Sequence, residues 1–394
     1  MKITRVRATP VNLPLEAPYD WTFGALPGFT KAVIEVETDE GITGLGEAPR
    51  GELAAMINDS LGPRLVGRDP FDIAGLEARC VPGLRGVQST TPFPLLRAWG
   101  GIETALWDIR GKAWNQPLYQ LLGGAVRKDI PFTEYFSFRQ ALNGKGGEQT
   151  PEAVADYCVE MHETHGSTFF EGKFTTADPE PSLEMLRQIR RRLGDKIMLR
   201  IDSNKAYSVA TARMIAPELE ELGVRGWEDP VASFQEMAIL RRSTSIPFSV
   251  HNCNFQHAVA LGTPDIFVTD TATHGGISHA VRFIGACEQM GIDFWFYSGD
   301  AGITSALYLH MCAALNWVRE PNQSLFTQQV ADIIIGGPFK TKNNTVRVPE
   351  GPGLGVELDR DRMAHAHKDF VDNGPPNEFH DPANPGVFRR VPLS

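Results

Sequence analysis

Charged and polar residues close a series of short apolar runs in this chain. Glu171 and Lys173 interrupt "TFFEGKF", Asp202 and Asn204 end "IDSN", and Glu228 stands in "WEDP". His251 and Asn252 follow in "SVHN", Asp270 in "VTDTATHGG" and Tyr297 in "FWFYS". Side chains two apart on a strand share a face, so Glu171 and Lys173 point the same way into a region that should be buried. A single Asp or Asn before a helix is commonly a cap. Acids and metal-capable residues at four successive run ends ask for more than capping. A ring of acids repels itself unless a cation lies among them. Two carboxylates plus one oxygen or nitrogen ligand, with positions left for water and substrate, suit Mg²⁺.

A barrel is the element that brings such run ends together. From about residue 130, "IPFTEYFSF" is followed by helical "PEAVADYCVEMHETHG", "TFFEGKF" by "EPSLEMLRQIRRRLG" and "KIMLRIDSN" by "SVATARMIAPELEELG". The alternation continues to "IDFWFYS" and "SALYLHMCAALNW". Seven strand–helix units, at roughly 25–30 residues each, predict a parallel sheet with helices outside, and that number favours a (β/α) barrel over an open sheet. Barrel chemistry takes place at the C-terminal ends of strands. For the eighth strand, "DIIIGG" (332–337) is a candidate.

The flanks differ. Residues 1–125 open with alternating "ITRVRATPVNL" and with "KAVIEVETDEGITGLGEA", a hairpin turning at Asp39-Glu40-Gly41, and continue into helical "GIETALWDIRGKAWNQPLYQLLGG". They predict an α+β domain, whose segments "PYDWTFGALPGFT" (18–30) and "EAPRGE" (47–52) should close over the barrel mouth as loops. Arg50 could then pair with a distal carboxylate of a diacid. Residues 126–340 form the barrel, and 341–394, rich in Gly, Pro and Asn, are expected to pack back on the first domain.

Bulk properties exclude several classes. The net charge of −10 argues against a nucleic-acid surface, although a metal or lysine can reverse the field locally for an anionic substrate. No apolar run reaches membrane-spanning length, and "MKITRVRATPVNLPL" lacks a signal-peptide core. The five cysteines are widely spaced without a CxxC pair, as expected of reduced thiols in a cytoplasmic protein. A small-molecule partner and a homo-oligomeric assembly are the expectations.

Taken together, these motifs resemble the enolase superfamily, in its mandelate racemase/muconate lactonizing enzyme branch, and within it the glucarate dehydratase-like acid-sugar dehydratases. "VIEVETDEGITGLGEAPRGE" is similar to the family's N-terminal capping domain and "GIETALWDIRGKAWNQPLYQLLGG" to its characteristic helix. Asp202 and Glu228 stand at metal positions, Asn204 matches the pattern, and Asp270 precedes Gly275-Gly276 as the family's sixth-strand Asp does. The resemblance implies that a base removes the proton α to a carboxylate while Mg²⁺ stabilises the enediolate, the enolase-superfamily arrangement that serves as a standard example of this chemistry. In the dehydratases a β-hydroxyl then leaves. Racemisation or epimerisation, or a barrel that binds without the ancestral chemistry, are the alternatives.

Three positions depart from the family pattern. Lys173 matches the second lysine of a Lys-x-Lys motif, but Glu171 replaces the first. That reverses the charge that would depress the pKa of Lys173, and leaves Lys173 as base, as a carboxylate-binding cation, or as partner of Glu171 in a buried ion pair. Tyr297 stands where the family has a histidine beside Asp270, and a phenol serves better as donor or acid than as base. His274, four residues after Asp270, is a candidate source of an imidazole, and with Glu171, Asn204 and Arg50 it is expected to contact substrate. The third metal ligand is His251 or Asn252, and an imidazole would also suit Mn²⁺, Fe²⁺ or Zn²⁺.

Overall fold

The computed structural model describes residues 1–82, 93–297, 301–376 and 387–394. Strands β1 (Ile3–Trp21), β2 (Gly24–Thr38) and β3 (Thr43–Ala48) form an antiparallel sheet in that order. The turn at 39–42 falls where the Asp-Glu-Gly signal puts it. The stretch 18–30 is the tip of a long β1–β2 hairpin, paired through Tyr19↔Leu26 and Trp21↔Gly24, rather than a loop. Backbone pairing stiffens what would otherwise be a loose flap.

The helix Phe93–Ala113 lies directly on β3. Glycine at alternate β3 positions makes this seat: a Cβ on Gly46 would come within 2.0 Å of the Gly101 carbonyl oxygen, and on Gly44 within 2.1 Å of that of Ala105. Buried acids on these elements then reach barrel helices. Glu103 accepts from the backbone N–H groups of Ile277 (2.7 Å) and Ser278 (3.1 Å), at the start of the helix Ile277–Met290. Glu47 accepts from Ala301 (3.0 Å) and Thr304 (3.1 Å), at the start of the helix Gly302–Ala314. Carboxylates are favoured there by unpaired N–H groups and the helix dipole, so the cap is docked onto the barrel by charge at two helix N-termini.

After a small pair made by β4 (Asp129–Pro131), the barrel strands follow in chain order: β5 (Glu134–Phe136), β6 (Phe169–Lys173), β7 (Met198–Asp202), β8 (Val224–Glu228), β9 (Phe248–Val250), β10 (Ile266–Thr269) and β11 (Asp293–Phe296). They form one parallel seven-stranded sheet in sequential order. Intervening helices start and stop on local signals. Thr150 accepts from Ala153 N–H ahead of Pro151, and Gly166 at φ 70° ends that helix at His165.

No regular eighth strand closes the sheet among the described residues. Residues 332–337 are not a strand; Ile334 makes a lone antiparallel bridge to Leu358. The gap between β5 and β11 is instead bridged by Asn322 and Gln323. Thr133 N–H donates to Asn322 O (2.8 Å), Asn322 N–H to Pro131 O (3.0 Å) and Gln323 N–H to Phe296 O (3.1 Å). "PNQSL" carries little β-forming pattern, which is why its place went unread.

Strand β12 (Thr345–Arg347) pairs with β4. The helix Arg360–Asn373 lies on β1, where Asn12 donates to Asp369 (2.8 Å), and Arg360 pairs with Glu35 of β2 (2.6 Å). The last residues contact the barrel instead, through Leu393 N–H to Ala206 O (2.6 Å). Among the described residues no helix is long and apolar enough to cross a membrane. The five cysteines are free.

Candidate active site

Parallel register sets the site. Glu171 is directly opposite Arg200, Lys173 opposite Asp202, and Asp202 opposite Glu228. With side chains alternating along each strand, this makes two layers inside the barrel: Glu171 and Arg200 below, Lys173, Asp202 and Glu228 above.

The lower layer explains Glu171. Its carboxylate is fully buried and accepts from Arg200 Nε (2.9 Å) and Nη2 (2.5 Å) and from Thr133 Oγ1 (3.3 Å). The Arg200 guanidinium lies 3.7 Å from the Trp295 ring centroid, a stacked cation–π contact. It fits because β8 has Gly226, where a Cβ would meet Arg200 Cγ and Cδ at 3.1 Å. Glu171 therefore pairs with Arg200 and not with Lys173. It also does not line the cavity above, which corrects the expectation that it contacts substrate.

Above it is a cavity of about 400 Å³, lined by Lys173, Asp202, Asn204, Glu228, His251 and Tyr297, by Arg50, and by further residues from the cap. A larger hollow, about 1140 Å³, opens at the other end of the barrel beside Met198, Val224 and Ile266, and holds none of these residues. Lys173 Nζ is ion-paired with Asp202 Oδ2. Burial alone would lower the lysine's pKa, but Asp202, together with Tyr135, Tyr19 and Glu228, outweighs it and holds the group well above its ordinary value, as an ammonium. Asn204, at φ 42°, donates its backbone N–H (2.8 Å) and its side-chain amide (2.8 Å) to Asp202.

His251 Nε2 lies 2.8 Å from Glu228 Oε1, while its Nδ1 lies 3.0 Å from Val268 O. Burial disfavours a charged imidazole, yet Glu228 more than offsets this and raises its pKa. Burial, then the like charge of Asp202, raise that of Glu228. Asn252, one residue on, is exposed and not part of the cavity wall. Of the two candidates only His251 is placed against the carboxylates.

Asp270 caps the short helix Thr271–His274, accepting from Thr273 N–H. It accepts also from the Tyr297 hydroxyl (2.6 Å) and Arg97 Nη2 (3.0 Å). Burial pushes its carboxyl up, but Arg97, Tyr297 and Thr273 together bring the net shift below the ordinary value. His274 does not supply an imidazole to the site. It is buried with its ring stacked on Phe283 at 4.2 Å, and burial lowers its pKa to about 4.

Sequence reading missed Arg97, Lys31 and Gln323, all of which line the cavity. Arg97 and Lys31 come from the cap, where no strand-end rule applies, and Gln323 from the irregular eighth stave. Lys31, Arg50, Arg97 and Lys173 line the same cavity as Asp202 and Glu228, with Lys31 beside Glu47, Arg97 paired with Asp270 and Lys173 with Asp202.

Among the described residues no three His, Cys, Asp or Glu groups form a ready cation cage. The donors themselves fit a hard divalent ion. Asp202 and Glu228 are adjacent carboxylates, and the buried Asn204 Oδ1 and Asp229 Oδ1 receive no hydrogen bond. Lys173 and His251 now supply the positive charge those acids require.

Residues 3–123 match the model of the mandelate racemase/muconate lactonizing enzyme N-terminal domain, and residues 153–362 that of the enolase C-terminal domain-like family. The chain belongs to the enolase superfamily. Within this superfamily it is 27% identical to a "probable glucarate dehydratase" of Streptomyces coelicolor, over 95% of this chain and 93% of that protein. It is also 27% identical to a chloromuconate cycloisomerase of Pseudomonas putida, over 93% and 99%. A crystal structure of an enolase from Streptomyces coelicolor, without magnesium and with an ordered loop, superposes with a TM-score of 0.86 at 30% identity, over 96% of this chain and 100% of that one. An enolase from Pseudomonas fluorescens with bound magnesium, potassium and tartrate superposes with a TM-score of 0.85 at 25% identity, over 95% and 93%. Enolase-superfamily chemistry is thus common ground for the chain, and the relatives' names diverge on the reaction that follows.

Proposed function

We propose that this protein removes the proton α to a carboxylate of an acid sugar and expels the β-hydroxyl as water, leaving a 2-keto-3-deoxy acid, with Mg²⁺ as cofactor. The observation that carries the reading is the pairing of cation with carboxylate around one cavity, Lys173 with Asp202 and His251 with Glu228. Asp202 and Glu228 would hold the ion, with Asn204 and His251 beside them; an imidazole in the set makes Mn²⁺ a natural substitute. Bound there, it supplies the charge that offsets the negative charge growing on the substrate carboxylate.

The remaining work falls to the chain's own residues. Lys173 is the base, and its Nζ takes a proton only when Asp202 has another counter-charge, since the ion pair otherwise keeps it an ammonium. Tyr297 donates its hydroxyl hydrogen to Asp270 and so stands as a donor, not as a second base. One base and one hydrogen-bonding pair favour dehydration over two-base racemisation. Lys31, Arg50 and Arg97 supply cations for an anionic ligand. The glucarate dehydratase relative and the tartrate-bound neighbour agree with a hydroxy-acid substrate.

The test is incubation of the protein and Mg²⁺ with an acid-sugar library in D₂O. A dehydratase releases a 2-keto-3-deoxy product. Deuterium uptake without loss of water would mean epimerisation, and neither outcome would mean a binder. Lys173→Ala should abolish turnover, and retained turnover would remove Lys173 from the role of base.

A further inference from the structure

A line of hydrogen bonds runs beneath the cavity. Gln323 Nε2 donates to Glu171 Oε1 (2.6 Å) and to Glu228 Oε2 (2.6 Å). Glu171 is itself held by Arg200, and the other oxygen of Glu228 meets His251 at 2.8 Å. Ionised carboxylates only accept, so the NH₂ end of the Gln323 amide must face both acids, one hydrogen to each. The orientation of this amide is dictated by its neighbours.

Its backbone is equally constrained. Gln323 N–H donates to Phe296 O (3.1 Å), and the preceding Asn322 accepts through Oδ1 from Phe296 N–H (2.9 Å). Gln323 is thus pinned to β11 from behind and to Glu171 from below, leaving its second hydrogen for Glu228. Without that bond, a carboxylate on a side chain of three rotatable torsions would have one oxygen on His251 and the other undirected.

We propose that Gln323 is a positioning residue that aims the Glu228 carboxylate into the cavity, and that the Glu171–Arg200 pair exists to hold the Gln323 amide in register. The proposal rests on the reading of Glu228 as a metal ligand. It accounts for an acid at position 171: a lysine there would repel Arg200 and offer Gln323 no acceptor. Residues that orient a metal ligand from behind typically govern affinity by 10–100-fold.

Isothermal titration of the full chain with MgCl₂ tests this without reference to turnover, alongside thermal melting of the metal-free protein. Gln323→Leu should weaken Mg²⁺ binding by about 10–100-fold. Gln323→Met, similar in length but with no donor and no charge, should do the same and serves if the leucine variant does not fold. Glu171→Gln removes the charge that holds Arg200 and turns an amide NH₂ on its donors, so it should loosen the Gln323 amide and weaken Mg²⁺ binding in the same direction, but by less, because Gln323 keeps its bond to Glu228. A purely structural role would lower the melting temperature and leave the Mg²⁺ affinity of folded protein unchanged, which overturns the proposal. Wild-type protein that takes up no Mg²⁺ overturns the proposed function as well; normal wild-type binding with unaltered variants overturns this inference alone.

Discussion

Replacing Glu171 by leucine should be among the most damaging single changes in the barrel. Arg200 is 2% exposed and gives two hydrogen bonds to Glu171 and one to Pro321 O (2.8 Å). Without Glu171 the guanidinium stays buried, stacked on Trp295, with no counter-charge. Leaving one partner of a buried pair uncompensated costs about 3–5 kcal/mol. Arg200→Met should cost a similar amount, since Glu171 would keep only the neutral donors Thr133 and Gln323. The double variant Glu171→Leu/Arg200→Met removes both charges and places apolar atoms against Trp295. Such exchanges are commonly neutral or stabilising by about 1–4 kcal/mol, so the double variant should be far more stable than the sum of the singles predicts. The measurement is a double-mutant cycle from urea unfolding, read as midpoint shifts at constant m. A coupling of about 3 kcal/mol or more is expected. Single variants that each cost under about 1 kcal/mol, or additive effects, would refute the claim that Glu171 and Arg200 form an interdependent buried pair.

Two further outcomes follow from the geometry. His310 is fully buried, accepting from Tyr119 N–H at Nδ1 (3.3 Å) with Nε2 3.1 Å from Leu354 O, an arrangement that needs the neutral ring. Burial lowers its pKa to about 4 from 6.5. The unfolded chain therefore binds a proton the fold refuses, and stability should fall as pH drops from 6.5 towards 4, by about 1.4 kcal/mol per pH unit for this group, with nothing further lost below. His310→Gln, which can accept and donate at the same two places, should reduce that slope by one proton; an unchanged slope would contradict the assignment. At the cavity, His251→Ala should alter Mg²⁺ affinity in titration calorimetry whereas Asn252→Ala should not, and the reverse result would restore Asn252 as the ligand.

Sequence alone determined whatever depends on short-range periodicity. Alternation by two puts Glu171 and Lys173 on one face. The strand–helix rhythm yields seven barrel units, and the strand ends mark Lys173, Asp202, Glu228, His251, Asp270 and Tyr297. Only the tertiary structure decided which groups pair. That depends on register between strands roughly thirty residues apart, which seats Glu171 against Arg200 and frees Lys173 for Asp202. The same holds for His274, which faces Phe283 because of how its helix packs, and for Asn252, exposed in the loop after its strand. Arg97 and Gln323 carry no local sign of their role: one arrives on a cap helix and the other on an irregular stave, each brought to the cavity by contacts that exist only once the chain has closed on itself.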